Sequence, residues 1–163
     1  MEEKICCFTG HRTIEFRRLS PICHLLDAEI ERLVKEGYTT FRTGGALGFD
    51  TVAALRVLVM KRDKYDFIRL ELCLPCKDQD AHWPERHKQL FSFIYKSADN
   101  IRYVGDRYTS TCMFERNRMM VDGSSFCIAY FNPSSTRGGT KYTFNYAKTN
   151  QVPCLNLFPL TDR

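Results

Sequence analysis

Short apolar runs alternate along this chain with longer segments in which apolar residues recur at helical spacing. A short apolar run is typical of a buried strand, and the helical spacing is typical of a helix with one apolar face. The alternation predicts strands at 5–9, 38–42, 67–74, 101–104, 125–131 and 152–158. It predicts helices at 21–36, 52–63, 109–121 and 139–150, and one more that begins at Pro84.

Residues at the ends of the predicted helices refine these bounds. Ser20 and Pro21 are typical of an N-cap followed by the first helical position, and Gly37 is typical of the residue that ends a helix. Thr109 or Ser110 is the expected cap of the helix at 109–121.

Apolar strands that alternate with helices are buried on both faces, as in a parallel sheet covered on both sides. The predicted fold class is therefore α/β: a Rossmann-like, doubly wound, mainly parallel sheet of about six strands with helices on both faces. Ligands of such sheets bind beyond the carboxyl ends of the strands, so a site is expected in the loops that follow them.

The composition is that of a globular protein, with 163 residues of which 44% are hydrophobic and 26% charged. We expect a single domain over 1–163, no membrane segment and a cytoplasmic location, because no long apolar stretch or signal-like start is present. The net charge of +5 suits an anionic ligand. The basic residues are scattered, so nucleic acid is an unlikely partner.

Eight cysteines are present, and we expect them to be reduced in a cytoplasmic protein. Cys73 and Cys76 have C-x-x-C spacing, but a zinc site needs a second pair of ligands. The nearby His82 and His87 lack zinc-finger spacing. The end of a strand is the favoured interpretation, and no metal site is predicted.

Polar or glycine-rich segments follow the first, second and fifth predicted strands. Thr9-Gly10-His11-Arg12 follows the first strand, where Arg12 can bind a phosphate with two hydrogen bonds. The segment from Gly44 to Asp50 follows the second strand and opens a helix, so its amide groups and the helix dipole favour an anion. Asp50 either complements that dipole or accepts hydrogen bonds from ribose hydroxyls. The alternatives are a solvated loop for the first segment and a plain tight connection for the second.

Gly138-Gly139-Thr140 forms a second glycine turn before a helix, after the fifth strand and Asn132 to Ser135. Two such turns on neighbouring strands can hold a phosphate between them, although each alone is also typical of a plain connection.

The helix at 109–121 carries Glu115-Arg116-Asn117-Arg118. These residues form either a solvated face with an ion pair or a face directed at a pocket. Trp83 can stack on a base, but a hydrophobic contact with the helix after Pro84 is slightly favoured.

The residues from Cys7 to Arg12, Gly44 to Asp50, Arg116 to Asp122 and Gly138 to Thr140 together resemble the YpsA-like branch of the SLOG superfamily. This superfamily also contains DNA-processing protein A and the LOG-type phosphoribohydrolases. The resemblance covers nearly the whole chain in order. It implies a Rossmann-like domain that binds nucleotides or nucleotide-derived ligands such as ADP-ribose.

LOG-type enzymes share a Pro-Gly-Gly-x-Gly-Thr-x-x-Glu motif with a catalytic glutamate. Here Ser135-Thr136-Arg137 replaces the start of that motif, and Thr143 stands where the glutamate would be. General acid or base help from that position is therefore missing. Glu115, Arg116 and Asp50 remain as candidate catalytic residues, and the catalytic assignment stays open.

Three functions follow as hypotheses. The first is binding of a nucleotide or ADP-ribose-like ligand, as a sensor or regulatory domain. The others are hydrolysis of the N-glycosidic bond of nucleoside monophosphates and binding of single-stranded DNA. A homodimer is possible by resemblance, and no cofactor is certain. The predicted ligand-binding residues are Thr9, Gly10, His11, Arg12, Gly44, Gly45, Ala46, Gly48, Asp50, Arg116, Asn117, Gly138, Gly139 and Thr140.

Overall fold

The computed structural model describes residues 2–135 and 138–162, which form six strands, five α-helices and a closing 3-10 helix. The strands are β1 (Lys4–Gly10), β2 (Tyr38–Thr43), β3 (Arg69–Leu74), β4 (Asn100–Tyr103), β5 (Phe126–Tyr130) and β6 (Cys154–Asn156). The helices are α1 (Phe16–Lys35), α2 (Phe49–Asp63), α3 (Glu85–Ser97), α4 (Cys112–Val121) and α5 (Gly139–Thr149), and the 3-10 helix spans Phe158–Asp162.

The six strands form one parallel sheet in the order β4-β3-β2-β1-β5-β6. The chain moves outward from β1 to β4 on one side and then crosses to β5 on the other side of β1. The strand order therefore reverses between β1 and β5, which creates a crevice at their carboxyl ends. The predicted α/β fold with about six parallel strands is confirmed.

Side chains alternate between the two faces of the sheet. On one face, Phe8, Phe41 and Leu72 belong to a large core that also contains buried residues of α1, α2 and α3. On the other face, Cys7 and Cys127 pack with buried residues of α4 and α5 in a smaller core. Helices therefore cover both faces of the sheet, and apolar side chains lie on each face.

The second face of the sheet also carries a buried ion pair between neighbouring strands. Arg42 in β2 donates from Nε to Oε1 of Glu71 in β3 at 2.6 Å and from Nη1 to the carbonyl oxygen of Asp122 at 2.8 Å. Asn100 in β4 donates to the other carboxylate oxygen of Glu71 at 2.9 Å. This network joins β2, β3 and β4 through polar side chains, of which Arg42 and Glu71 are buried.

The predicted start of the first helix is wrong. α1 begins at Phe16 with Glu15 as its N-cap, and Pro21 lies inside the helix. Glu15 accepts a backbone hydrogen bond from Arg18 at 2.9 Å, and Arg18 also donates to Thr161 at 2.7 Å. The first of these hydrogen bonds belongs to the first turn of α1, and the second holds that turn against the 3-10 helix, a contact that local residue preferences do not indicate.

Other bounds differ by a few residues. α2 begins at Phe49 rather than Val52, and α4 is capped by Thr111 rather than by Thr109 or Ser110. The last strand is shorter than predicted, since Phe158 belongs to the 3-10 helix. Among the described residues, no helix combines the length and the apolar character needed to cross a membrane.

Candidate functional site

A cavity of about 420 Å³ lies at the carboxyl edge of the sheet, where the strand order reverses. The loop after β1, the start of α2, one face of α4 and the start of α5 form its walls. The lining residues are Thr9, Gly10, His11, Arg12, Ala46, Asp50, Met113, Phe114, Arg116, Asn117, Met120, Gly138, Gly139 and Thr140. The four sequence motifs thus meet in one place, as the sheet topology predicts.

The loop after β1 is held by hydrogen bonds from three directions. The N–H of His11 donates to the carbonyl oxygen of Tyr130 in β5, and the carbonyl oxygen of His11 accepts from the N–H of Phe49 in α2. The side-chain Nε2 of His11 accepts from the N–H of Asn132 at 2.8 Å. Because an acceptor nitrogen carries no proton, this imidazole is neutral with its proton on Nδ1. Burial also lowers the pKa of His11.

Arg12 extends from this loop as an exposed cation. Among residues 2–135 and 138–162, its side chain makes no hydrogen bond or salt bridge, although it lines the cavity. A guanidinium group at a cavity wall whose donors are not used by the described residues is suited to a phosphate or carboxylate ligand.

The carboxylate of Asp50 folds back onto the Gly44–Gly48 turn. Oδ2 of Asp50 accepts a hydrogen bond from the N–H of Ala46 at 3.3 Å. Gly48 has φ of +79° and is the N-cap of α2, and a Cβ there would collide with the carbonyl group of Arg12. Of the predicted turn residues, Ala46 and Asp50 line the cavity, whereas Gly44, Gly45 and Gly48 provide close packing behind it.

Asp50 is a buried carboxyl group, with 5% of the residue exposed. Burial raises its pKa from 3.8 to about 6, and the charge of Arg116 with the N–H of Ala46 partly opposes that increase. A carboxyl group with this pKa exists in both protonation states near neutral pH. It can therefore donate or accept a hydrogen bond at the cavity wall.

Arg116 and Asn117 form the buried face of α4. Arg116 is 4% exposed, and its Nη1 donates to the carbonyl oxygen of Gly44 at 2.6 Å. Its Nε donates to Oδ1 of Asn117 at 2.9 Å, which fixes the orientation of the Asn117 amide. Nδ2 of Asn117 lies close to Gly139, since a Cβ on Gly139 would be 3.5 Å from it. These two residues face the cavity, as the second interpretation of this helix predicts.

Glu115 and Arg118 lie on the opposite, exposed face of α4. Glu115 accepts a hydrogen bond from the hydroxyl of Thr111 at 3.0 Å, and Arg118 donates to the hydroxyl of Tyr142 at 2.6 Å. Both line a separate surface depression. Of the three candidate catalytic residues, Asp50 and Arg116 line the main cavity and Glu115 does not.

The start of α5 forms another wall of the cavity. Gly138 is the N-cap of this helix, and Gly138, Gly139 and Thr140 line the cavity. The first N–H groups of a helix have no partner within the helix and carry its positive dipole end. Thr136 and Arg137, at the beginning of this glycine turn, lie outside the described residues.

Thr143 occupies the position of the LOG-type glutamate but does not line the cavity. It is 1% exposed, and its hydroxyl donates to the carbonyl oxygen of Gly139 at 2.8 Å. The hydroxyl group therefore supports the first turn of α5 from behind and supplies no acid or base to the cavity.

Sequence reasoning did not assign three cavity residues, Met113, Phe114 and Met120. Met113 and Met120 are seven residues apart, with Arg116 and Asn117 between them, so the face they share follows from helical spacing. This face of α4 carries both polar and apolar residues, and only its polar residues were predicted to bind a ligand. The two methionines were therefore not assigned to the site.

The cysteines form no disulfide bond, and Trp83 packs against a neighbouring aromatic ring. All eight cysteines are free, and no cluster of metal-ligating side chains occurs in the described part of the chain. Burial raises the pKa of Cys73 to about 12. Trp83 packs edge-on against Phe91 of α3, with ring centroids 5.4 Å apart, in agreement with the favoured hydrophobic contact.

The parallel sheet, the helices on both faces and the crevice at the reversal of strand order define a Rossmann-like α/β protein. This chain belongs to the YpsA family, whose model, described as the YspA SLOG family, matches residues 6–156. The resemblance inferred from the four motifs is thereby confirmed.

Two bacterial relatives illustrate the family. The chain is 27% identical over 154 residues to a UPF0398 protein of Bacillus pumilus (strain SAFR-032), covering 89% of this chain and 82% of that protein. It is 32% identical over 134 residues to the SPbeta prophage-derived protein YoqJ of Bacillus subtilis (strain 168), covering 74% of this chain and 77% of that protein.

Two solved structures share the fold. DNA processing protein A from Helicobacter pylori, which has a single-stranded DNA binding mode, matches with a TM-score of 0.66 and 18% identity. The match covers 94% of this chain and 64% of that protein. The protein TM1055 matches with a TM-score of 0.58 and 16% identity, covering 93% of this chain and 72% of that protein.

Proposed function

We propose that this protein binds a nucleotide or nucleotide-derived ligand, such as ADP-ribose, in the cavity between the ends of β1 and β5, and acts as a sensor or regulatory domain. The observation that carries this proposal is the meeting of Arg12, Asn117 and the start of α5 around one cavity. Its volume of about 420 Å³ is within the range of small-molecule sites.

The phosphate group of the ligand is best accommodated between Arg12 and the start of α5. Arg12 makes no side-chain hydrogen bond or salt bridge in the described residues, and the N-terminal end of α5 offers N–H groups and a positive dipole. The Gly44–Gly48 turn is a weaker phosphate site than its sequence indicates, because the Asp50 carboxylate already accepts from Ala46 and would repel a phosphate.

The sugar hydroxyls of the ligand are best accommodated by Asp50 and Asn117. Both line the cavity, and Asn117 Nδ2 has no hydrogen-bond acceptor among residues 2–135 and 138–162. A ribose hydroxyl accepts from such an amide and donates to a carboxylate.

Isothermal titration calorimetry with ADP-ribose and AMP tests this proposal. Saturable binding is expected, together with an increase in Tm at ligand concentrations above Kd. Arg12→Ala should lower the affinity at least about tenfold, since a charge-assisted hydrogen bond is lost. Arg86→Ala is the matched control, because Arg86 lies exposed on α3 away from the cavity.

The absence of binding by any nucleotide at millimolar concentration would refute this function, and so would an unchanged affinity in Arg12→Ala. The same incubations, analysed for free base and ribose phosphate, distinguish binding from glycosidic hydrolysis. The position of Thr143 supports the expectation that AMP remains intact.

Single-stranded DNA binding is a second candidate, favoured by the fold shared with DNA processing protein A of Helicobacter pylori. It predicts an affinity for oligothymidylate that falls steeply as salt increases, since phosphate contacts release counterions. Fluorescence anisotropy of a labelled oligonucleotide between low and physiological salt measures this slope, and a lack of binding in dilute buffer removes this candidate.

A further inference from the structure

A second cavity, of about 520 Å³, adjoins the first at the carboxyl edge of the sheet. Arg12 and Met113 line both cavities, so the two cavities meet at these residues, with the cation of Arg12 at the boundary. The other walls are the segment from Pro75 to Trp83, which follows β3, and Tyr108 on the connection before α4.

The segment that carries Trp83 is anchored to the glycine turn behind the first cavity. Nε2 of Gln79 donates to the carbonyl oxygen of Gly45 at 3.2 Å, and the N–H of Trp83 donates to the carbonyl oxygen of Asp80 at 3.0 Å. The edge-on contact with Phe91 fixes the indole ring, which is half-buried and lines the cavity. The ring is thus positioned before any ligand arrives.

Tyr108 supplies a second aromatic ring to the same cavity. It is 69% exposed and has no ring contact or hydrogen bond within residues 2–135 and 138–162. The connection that carries it is tied to the opposite segment by a salt bridge between Lys77 Nζ and Asp106 Oδ1 at 3.1 Å. Two aromatic rings therefore line one cavity, one of them without a packing partner in the protein.

We propose that this second cavity binds the base of the nucleotide, with its flat ring stacked on Trp83 and in contact with Tyr108. The sugar and phosphate then pass Arg12 into the first cavity. Aromatic rings bind nucleobases by stacking, and the cation at the junction matches the charge that follows the base in a nucleotide. This inference rests on the proposed function and adds the position of the base to it.

Trp83 is the single tryptophan of the chain, so fluorescence excited at wavelengths that tyrosine does not absorb reports on the surroundings of this one residue. Titration with AMP, GMP, CMP and UMP should quench Trp83 emission for at least one of them with the Kd that calorimetry gives. Ribose 5-phosphate, which has no base, should bind by calorimetry and leave the emission unchanged.

Variants separate the base from the sugar and phosphate. Trp83→Ala or Tyr108→Ala should weaken binding of the quenching nucleotide about tenfold, while the affinity for ribose 5-phosphate stays the same. Trp83→Phe keeps a flat ring and should retain most of the affinity. Phe93→Ala is the matched control, because Phe93 is an exposed aromatic residue on α3 outside both cavities.

The possible results separate this inference from the proposed function. Nucleotide binding with unchanged Trp83 emission, or an equal loss for nucleotide and ribose 5-phosphate in both alanine variants, overturns the base site and leaves the proposed function standing. Failure of every nucleotide and of ribose 5-phosphate to bind overturns both. Quenching by oligothymidylate alone overturns both in favour of a DNA-binding cleft.

Discussion

Arg116 in α4 donates a hydrogen bond of 2.6 Å to the carbonyl oxygen of Gly44, the first residue of the glycine turn after β2. The two residues are 72 positions apart in the chain. The buried arginine thereby joins the helix on one face of the sheet to the turn that begins the helix on the other face. This contact fixes one wall of the cavity, with Asp50 immediately beside it.

Substitution of Gly44 by alanine should destabilise the protein by about 1–3 kcal/mol, as overpacking of a close contact does. A Cβ at this position would lie 2.7 Å from Nη1 of Arg116 and 2.9 Å from Oδ2 of Asp50. Urea denaturation measures the free energy of unfolding. Gly105→Ala is the control, because a Cβ there meets nothing within 4 Å. Equal stability of the two variants would contradict the packing role of Gly44.

Asp50 should make the stability of the protein depend on pH. Its pKa rises from 3.8 to about 6 in the folded state, so folding favours the protonated carboxyl. This stabilisation is complete below pH 3.8 and is lost as pH rises through about 6. The pKa shift corresponds to about 3 kcal/mol at full ionisation.

The variant Asp50→Asn removes this titration and keeps the shape of the side chain. The free energy of unfolding of the variant minus that of the natural protein should be larger at about pH 7.5 than at about pH 4. The expected increase in this difference is on the order of 1–3 kcal/mol. Urea titrations of both proteins across this range measure this difference. The contributions of the other titrating groups cancel in it, because both proteins contain them. A difference that is constant with pH would exclude an elevated pKa of Asp50.

His11 should be neutral at pH 7 with its proton on Nδ1, because Nε2 accepts from the N–H of Asn132. Burial lowers its pKa from 6.5, so its contribution to stability is present above pH 6.5 and is lost as pH falls. Long-range ¹⁵N–¹H correlation spectra identify both the tautomer and the titration. A proton on Nε2 at pH 7 would contradict the hydrogen bond to Asn132.

The substitution Glu71→Gln should cost about 3–5 kcal/mol of stability, because it leaves the buried cation of Arg42 without its carboxylate. Ligand binding should be unchanged at temperatures where the variant is folded, since neither residue lines either cavity. Asp63→Asn, in the exposed pair with Arg62, is the control and should change stability by less than about 0.5 kcal/mol. Similar losses in both variants would contradict the importance of burial.

The outline of the fold followed from the sequence because helical and strand periodicities are local properties of the chain. The apolar runs around Phe8, Phe41 and Ile128 identified three central strands, and the residues after them pointed to the carboxyl edge. The start of α1 did not follow, because Glu15, Arg18 and Thr161 form a contact over 143 positions that outweighs the local Ser20-Pro21 signal.

By itself the sequence determined the order of strands and helices, the family motifs and the edge of the sheet at which they meet. Only the tertiary structure decided which groups face the ligand. It placed the Asp50 carboxylate in the Gly44–Gly48 turn, directed Arg116 and Asn117 inward and Glu115 outward, and placed the cavity containing Trp83 next to Arg12. The physical reason is that burial and hydrogen bonding depend on neighbours that are distant in the chain, and residue type and spacing do not specify those neighbours.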